Sequence, residues 1–400
     1  MRFSSRTDWD VAETRLARAL RERRAAGLPI LDLTASNPTQ CGFAYDEAGI
    51  LAALGDRAAL TYDPEPRGML RAREAVVEYY AARGAVVDPQ QIFLTTSTSE
   101  AYSWVFRLLC DAGDEVLIAQ PSYPLFDFLA QIEDVRLVPY PLVYDHGWQI
   151  DFDDLRERIT ARAESRIRAI ALVHPNNPTG HFTKAEERRE LERICAEFGL
   201  ALIVDEVFLD YSVPGNEARS FAAGEHSTLT FVLSGISKIA ALPQMKAAWI
   251  AGFGPAGLRP EGELKVALER LEIVADTFLS MNAPVQCALP VWLAGSGGIQ
   301  EQIRARTQAN LRSLDQILLR FPAVTRLEVE AGWYAVLRVP ALGSDEDLAV
   351  RLVEERAVSV HPGYFFGFGG DGWLVVSLLT AEEDFRKGVG EICGMFEARE

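Results

Sequence analysis

A chain of 400 residues, 48% of them hydrophobic, is too long for one simple core, so a large domain and a smaller one are expected. The formal charge of −17, with no cluster of Lys and Arg among aromatics, argues against nucleic acid as a partner, because phosphate backbones require a basic footprint. Five histidines and five cysteines, without HExxH or CxxC spacing, suit reduced buried thiols better than a zinc framework, and no metal is expected.

The first residues, Met1-Arg2-Phe3-Ser4-Ser5-Arg6, are polar and carry no apolar leader run. No later stretch approaches the ~20 apolar residues of a membrane span, so no membrane and a cytoplasmic setting are expected. Residues 7–26 place Trp9, Leu16 and Leu20 at helical intervals, with Thr7 as the N-cap and Gly27-Leu28-Pro29 as the stop. This predicts an amphipathic N-terminal arm, packed on its own subunit or crossing to a partner.

Apolar runs then recur at residues 92–94, 116–119, 169–173, 201–204, 231–233 and 247–251, each leading into a turn and, for most, a helical pattern. Near-continuous apolar strands between helices predict a mostly parallel sheet covered on both faces, an α/β fold of three layers. The large domain is assigned to residues 52–290, and residues 1–51 plus 291–400 to a smaller α+β domain bearing the N-terminal arm. In the smaller unit, residues 299–319 read as a long helix, and 325–339 and 373–379 as strands.

Open α/β sheets bind ligands beyond the carboxyl ends of their strands. Run 169–173 is followed by His174-Pro175-Asn176-Asn177-Pro178-Thr179-Gly180, run 201–204 by Asp205-Glu206, and run 231–233 by Ser234-Gly235-Ile236-Ser237-Lys238. An amide, a carboxylate and an amine therefore share one rim. Singly, they read as a turn, a helix cap and a solvated lysine.

In this order and spacing the chain resembles the fold-type-I pyridoxal 5′-phosphate (PLP) enzymes, specifically the class I/II aminotransferases. The motifs that carry the resemblance are residues 62–68 followed by Leu70-Arg71, 111–114 leading to Pro121-Ser122-Tyr123-Pro124, 177–180, Asp205-Glu206 and Ser237-Lys238. The resemblance implies that Lys238 holds PLP as a Schiff base and that Asp205 keeps a proton on the ring nitrogen. It further implies that Asn177 hydrogen-bonds the ring oxygen and that Tyr123 lies on the ring face. Thr98 and Ser99, in the strand-to-helix turn 96–100, match the phosphate-cup positions, where a helix N-terminus favours an anion. Ser237 adds a hydroxyl, and Tyr62 matches a tyrosine that reaches the phosphate from the neighbouring subunit, which implies a homodimer.

The chain departs from the family pattern at four cofactor or carboxylate positions. Lys246 stands where an arginine clamps the phosphate, and supplies a point charge without a fork. Gly235 replaces a serine, and Phe208 replaces a tyrosine whose hydroxyl donates to the ring oxygen. Val375, in Leu374-Val375-Val376-Ser377, takes the place of the arginine that binds the substrate α-carboxylate. Either Arg338, or more weakly Arg67, substitutes for it, or the substrate lacks a free α-carboxylate.

Ser36 stands where the substrate-covering loop 33–38 usually has glycine. Phe43, Tyr45, Tyr364, Phe365, Phe366 and Phe368 fall in segments flanking the pocket; each reads singly as packing, and together they point to an apolar or aromatic substrate.

The resemblance thus implies transfer of an amino group between an amino acid or amine and a keto acid. Two other readings stand beside it: another PLP reaction such as β-elimination, decarboxylation or a synthase step, which Val375 favours, and a non-catalytic PLP-binding protein. A dinucleotide-dependent dehydrogenase is disfavoured because no GxGxxG follows the first strand.

Overall fold

The computed structural model describes residues 1–124, 126–161, 166–216, 219–255, 262–279 and 281–397. In chain order its strands are β1 (Leu31–Asp32), β2 (Ile92–Thr95), β3 (Glu115–Gln120), β4 (Arg136–Tyr144), β5 (Trp148–Ile150), β6 (Ile167–Val173) and β7 (Ala201–Asp205). They continue with β8 (Thr230–Gly235), β9 (Ala248–Phe253), β10 (Thr325–Arg326), β11 (Tyr334–Arg338), β12 (Val358–Ser359), β13 (His361–Pro362) and β14 (Trp373–Ser377).

Eight of these strands form one sheet in the order β2-β9-β8-β7-β6-β3-β4-β5. Strand β9 runs antiparallel to both neighbours and β5 antiparallel to β4; the other pairings are parallel. The apolar runs are continuous because both faces are covered. Alternate residues supply two cores, as a pleat of period two requires: Leu117, Ile170, Leu172, Leu202, Val204 and Val232 enter one, and Val116, Ile118, Ile203, Phe231 and Leu233 the other. Helices Thr98–Leu109 and Glu263–Phe278 close the second face. Helices Leu70–Ala81, Ala185–Phe198 and Ala283–Ala294 close the first.

All six expected strands are present, and β4 and β5 join them. Pro139 and Pro141 interrupt the β4 pattern, since a proline cannot donate to a ladder. They are accommodated near the sheet edge, opposite Ile118 and Gln120 of β3.

A second sheet, β10-β11-β14-β13, and the pair β1-β12 belong to the C-terminal part, with a core of their own around Leu33, Leu337, Leu374, Val376 and Phe385. The long helix is Gly297–Leu318. The strand expected over 325–339 is two strands, broken by a segment in which Gly332 has φ +89°.

The N-terminal helix is Arg15–Ala25, and its N-cap is Thr14 rather than Thr7: the Thr14 side chain accepts from the Ala17 N–H. Residues 5–7 form a separate 3-10 turn capped by Ser4. Trp9 takes no part in the helix. Its indole N–H donates to Gln131 Oε1 at 2.6 Å, and its ring meets the edge of Phe128 at 5.5 Å. The helix packs on the chain's own C-terminal part, where Leu16, Ala19 and Leu20 meet Val350 and Val353.

Candidate active site

A cavity of about 500 Å³ opens at the carboxyl ends of the central parallel strands. Lys238, Asp205, Asn177, Tyr123, Thr98, Ser99, Ser237, Phe208 and Ser36 all line it. Asp205 is the last residue of β7, and Lys238 lies on the short helix Ile236–Ile239 that follows the neighbouring β8. Thr98 and Ser99 open the helix that follows β2, with Ser97 as N-cap accepting from the Glu100 N–H at 3.1 Å. The first-turn N–H groups of such a helix have no intrahelical acceptor, and they favour an anion.

Burial sets the electrostatics. Asp205 is only 6% exposed, and desolvation pushes its carboxyl up to about 6 although the Val207 N–H and the Lys238 charge pull the other way. Its neighbour Glu206 points to the opposite side, as strand alternation requires, and accepts from Ser220 Oγ at 2.7 Å and the Phe221 N–H at 2.5 Å.

Protein surrounds the Lys238 amine, and desolvation brings it down to about 8 against the pull of Asp205. The residue counts as half-buried because its side chain faces the open cavity. The amine sits 4.8 Å from the Trp333 ring centre and 5.6 Å from that of Phe208.

The Asn177 turn is fixed by its neighbours. Asn176 Nδ2 donates to the Pro121 carbonyl at 3.0 Å and to Thr179 Oγ1 at 2.8 Å, which ties this turn to the loop that carries Tyr123. His174 Nδ1 accepts from the Thr183 N–H at 3.1 Å and its Nε2 faces the Arg219 carbonyl at 3.1 Å, so Nε2 carries the proton. Burial pushes this imidazole down to about 3, which keeps it neutral. The Tyr102 hydroxyl faces the Asp205 carboxylate, and the Asn177 Oδ1 is buried beside the cavity without a hydrogen-bond partner. A polar atom left unpaired beside a buried carboxylate and amine leaves room for a polar group that pairs with it.

The sequence profile described as "Aminotransferase class I and II" matches residues 32–392. The chain belongs to that family. The glutamate-pyruvate aminotransferase AlaA of Haemophilus influenzae is 26% identical over 362 residues, 88% of this chain and 87% of the relative. The alanine aminotransferase of Mycobacterium bovis is 27% identical over 375 residues, 90% and 84% of the two chains. Among solved structures, a mutant of the Thermus thermophilus aspartate aminotransferase superposes with a TM-score of 0.83 at 25% identity, covering 99% of this chain and 100% of the other. The alanine aminotransferase of Pyrococcus furiosus gives a TM-score of 0.87 at 23% identity, with 98% and 99% covered. The protein is an aminotransferase with the three-layer α/β fold of these enzymes.

Four expected site residues of this aminotransferase, Arg338, Arg67, Lys246 and Tyr62, do not line its cavity. Arg338 shares a pleat face with Tyr334 but lies four residues along β11, about 13 Å away by strand rise. There its guanidinium stacks 4.3 Å from the Trp373 ring centre and donates to the Asp371 carbonyl at 2.6 Å, so it does not substitute for the missing arginine. Arg67 is engaged with Glu272. Lys246 is exposed and left-handed at φ +54°, outside the lining, and Tyr62 is 76% exposed on the surface of its own chain. Gly235 has a packing reason: a Cβ there would lie 2.8 Å from the Ala248 Cβ and 2.9 Å from the Ala247 carbonyl.

The lining of the aminotransferase also includes Tyr102, Tyr334 and His361, which sequence reasoning did not select. Tyr102 follows Thr98 by one helical turn, a spacing that could have shown it. Phe365 and Phe366 line the cavity as expected from their segment; Phe43, Tyr45, Tyr364 and Phe368 do not.

Proposed function

We propose that this aminotransferase binds PLP in the cavity and moves an amino group between an amino acid or amine and a keto acid, with Lys238 as the residue that carries the cofactor. The observation that supports it best is the opposed perturbation of two buried groups on adjacent strand ends, a carboxyl raised to about 6 and an amine lowered to about 8. When bound, the cofactor supplies a carbonyl for the amine and an electron-withdrawing ring.

The roles assigned to the chain's residues rest on the family resemblance, and their common place around the cavity supports them. Asp205, otherwise destabilised by desolvation, would accept from a protonated ring nitrogen. The Asn177 amide would donate to the ring oxygen; Phe208, lacking a hydroxyl, would offer no second donor there. Tyr123 would cover the ring, and Thr98, Ser99 and Ser237 would hold the phosphate. Lys238 Nζ, partly unprotonated near neutral pH, moves the proton at the substrate carbon.

The active unit in this reading is a homodimer. Leu51, Leu60, Tyr62, Leu70 and Val291 are exposed on segments that pack against one another, an apolar face suited to a second copy, and Tyr62 would reach the partner's phosphate site from it. Lys246 would reach the phosphate only through its own long side chain. Residues 52–290 and residues 1–51 plus 291–400 are our division into large and small domains. A cytoplasmic setting fits the five free cysteines; among the described residues no helix is long and apolar enough to cross a membrane.

Borohydride reduction of the PLP-loaded enzyme followed by peptide mass analysis tests the central assignment. The cofactor is expected on Lys238, and a label on another residue overturns it.

A further inference from the structure

Residues directly opposite on antiparallel strands share a face. Strands β11, β14 and β13 therefore place Val336, Val375 and His361 in one row, with Tyr334 one step along. This face looks toward the cavity: Tyr334 and His361 line it, and Val375, fully buried, packs in the same cluster as Tyr334 and Phe366. A valine thus fills the point from which a guanidinium would enter.

Among the described residues of this chain that line the cavity, Lys238 is the only Lys or Arg, so no arginine of this lining replaces it. His361 stacks on Phe365 at 5.6 Å and 20°, engages the backbone of Thr34, and is held below its ordinary pKa by burial, so it is neutral at pH 7. The remaining polar groups at this end are uncharged. Tyr334 and Ser36 hydrogen-bond through their hydroxyls, and the Ser36 loop is anchored by Ser377, whose N–H donates to the Leu33 carbonyl at 2.7 Å and whose hydroxyl donates to the Ala35 carbonyl. Phe126, Phe128, Phe365 and Phe366 supply apolar wall.

A carboxylate entering here would lose its water and meet only neutral donors from this chain's lining, which do not repay the desolvation of a charge. A neutral oxygen matches the Ser36 and Tyr334 hydroxyls without that penalty. Resting on the transferase reading above, we propose that the cavity prefers amines with an apolar or aromatic body and no ionised carboxylate on the reacting carbon: amides, esters, amino alcohols or simple amines. The donor gives up its nitrogen, a carbon-bound hydrogen and two electrons, and leaves as an aldehyde or ketone whose oxygen comes from water. The acceptor carbonyl gains that nitrogen and those electrons and releases its oxygen as water. Because the acceptor enters the same cavity, a keto acid serves as the poorer of two acceptors matched in side chain.

The test compares phenylalanine with phenylalaninamide, phenylalaninol and 2-phenylethylamine, and leucine with its matched set, by single-turnover kcat/KM on the PLP-loaded enzyme. Each neutral member is expected to exceed its free acid by about tenfold or more. A smaller margin, or the reverse order, overturns the proposal. Conversion of free acids alone removes this preference and leaves the transferase reading intact, whereas no conversion of any compound removes both. In a second arm, Val375→Arg is expected to shift the acid-to-amide ratio toward the acid by about tenfold, and an unchanged ratio in the folded, PLP-binding variant counts against the proposal.

Discussion

Asp205 and Lys238 sit at the ends of two neighbouring strands, and each favours the other's charged form, yet burial outweighs that attraction in both. Asp205 has a folded pKa of about 6 against an ordinary value of 3.8, so the native state holds an extra proton between those values. Stability of the cofactor-free protein therefore falls as pH rises through that window. Asp205→Asn should stabilise the cofactor-free protein by about 1–3 kcal/mol at pH 7 and by nothing near pH 4, while cutting transfer by roughly 10²-fold or more. Denaturant unfolding at the two pH values, beside an activity assay, checks it.

Lys238 has the opposite sign. Its native pKa of about 8 lies below the ordinary 10.5, so the amine becomes neutral, and nucleophilic, at a lower pH than a solvated lysine. Capture of added PLP by the cofactor-free protein should speed up about tenfold per pH unit below 8 and level off above it. Stopped-flow absorbance reads this directly; a rate still climbing at pH 10 would show a solvated amine.

Phe208 is 3% exposed, packs edge-on to Trp333 at 5.3 Å, and borders the cavity. Phe208→Tyr adds a hydroxyl to the cavity wall, where the proposed cofactor would lie. The pH midpoint of the loaded enzyme's visible absorption should fall by about one unit, because a donor to the deprotonated form favours it. A spectrophotometric titration of the two proteins decides.

Asn176 never touches the cavity but joins its two sides through Pro121 and Thr179. Asn176→Ala should cost about 1–3 kcal/mol, the penalty for unpairing buried groups, and loosen the Tyr123 loop. Weaker PLP retention on dialysis, together with a lower unfolding midpoint, is the expected pair of readouts.

Gly180 has φ +73°, and a Cβ there would stand 2.5 Å from the Ala331 carbonyl. Gly180→Ala should therefore destabilise the fold by about 2–4 kcal/mol through strain and overlap combined. Thermal unfolding measures it.

Much of the site was legible in the sequence because strand ends are. A buried parallel strand is a continuous apolar run, and the residues that follow it stand on the rim. Asn177, Asp205 and Lys238 could be placed from order and spacing alone. Strand β4 escaped because its prolines break the pattern, β5 because it is only three residues long, and the expected N-terminal helix begins later than Thr7 because a separate turn precedes Thr14.

What the sequence by itself determined was local: which runs pair into a sheet, which turns carry an amide, a carboxylate and an amine, and that position 375 holds no arginine. Only the tertiary structure decided what surrounds that absence. Arg338 and Tyr334 share one strand and one face, but an extended chain carries the arginine past the cavity rim, where Trp373 and the Asp371 carbonyl hold it. His361 reaches the cavity through the pairing of β13 with β14, a contact between distant segments with no local signal. The depth of Asp205 and Lys238, which sets their protonation, likewise depends on helices and strands closing over them, because desolvation is a property of the packed environment and not of the residue.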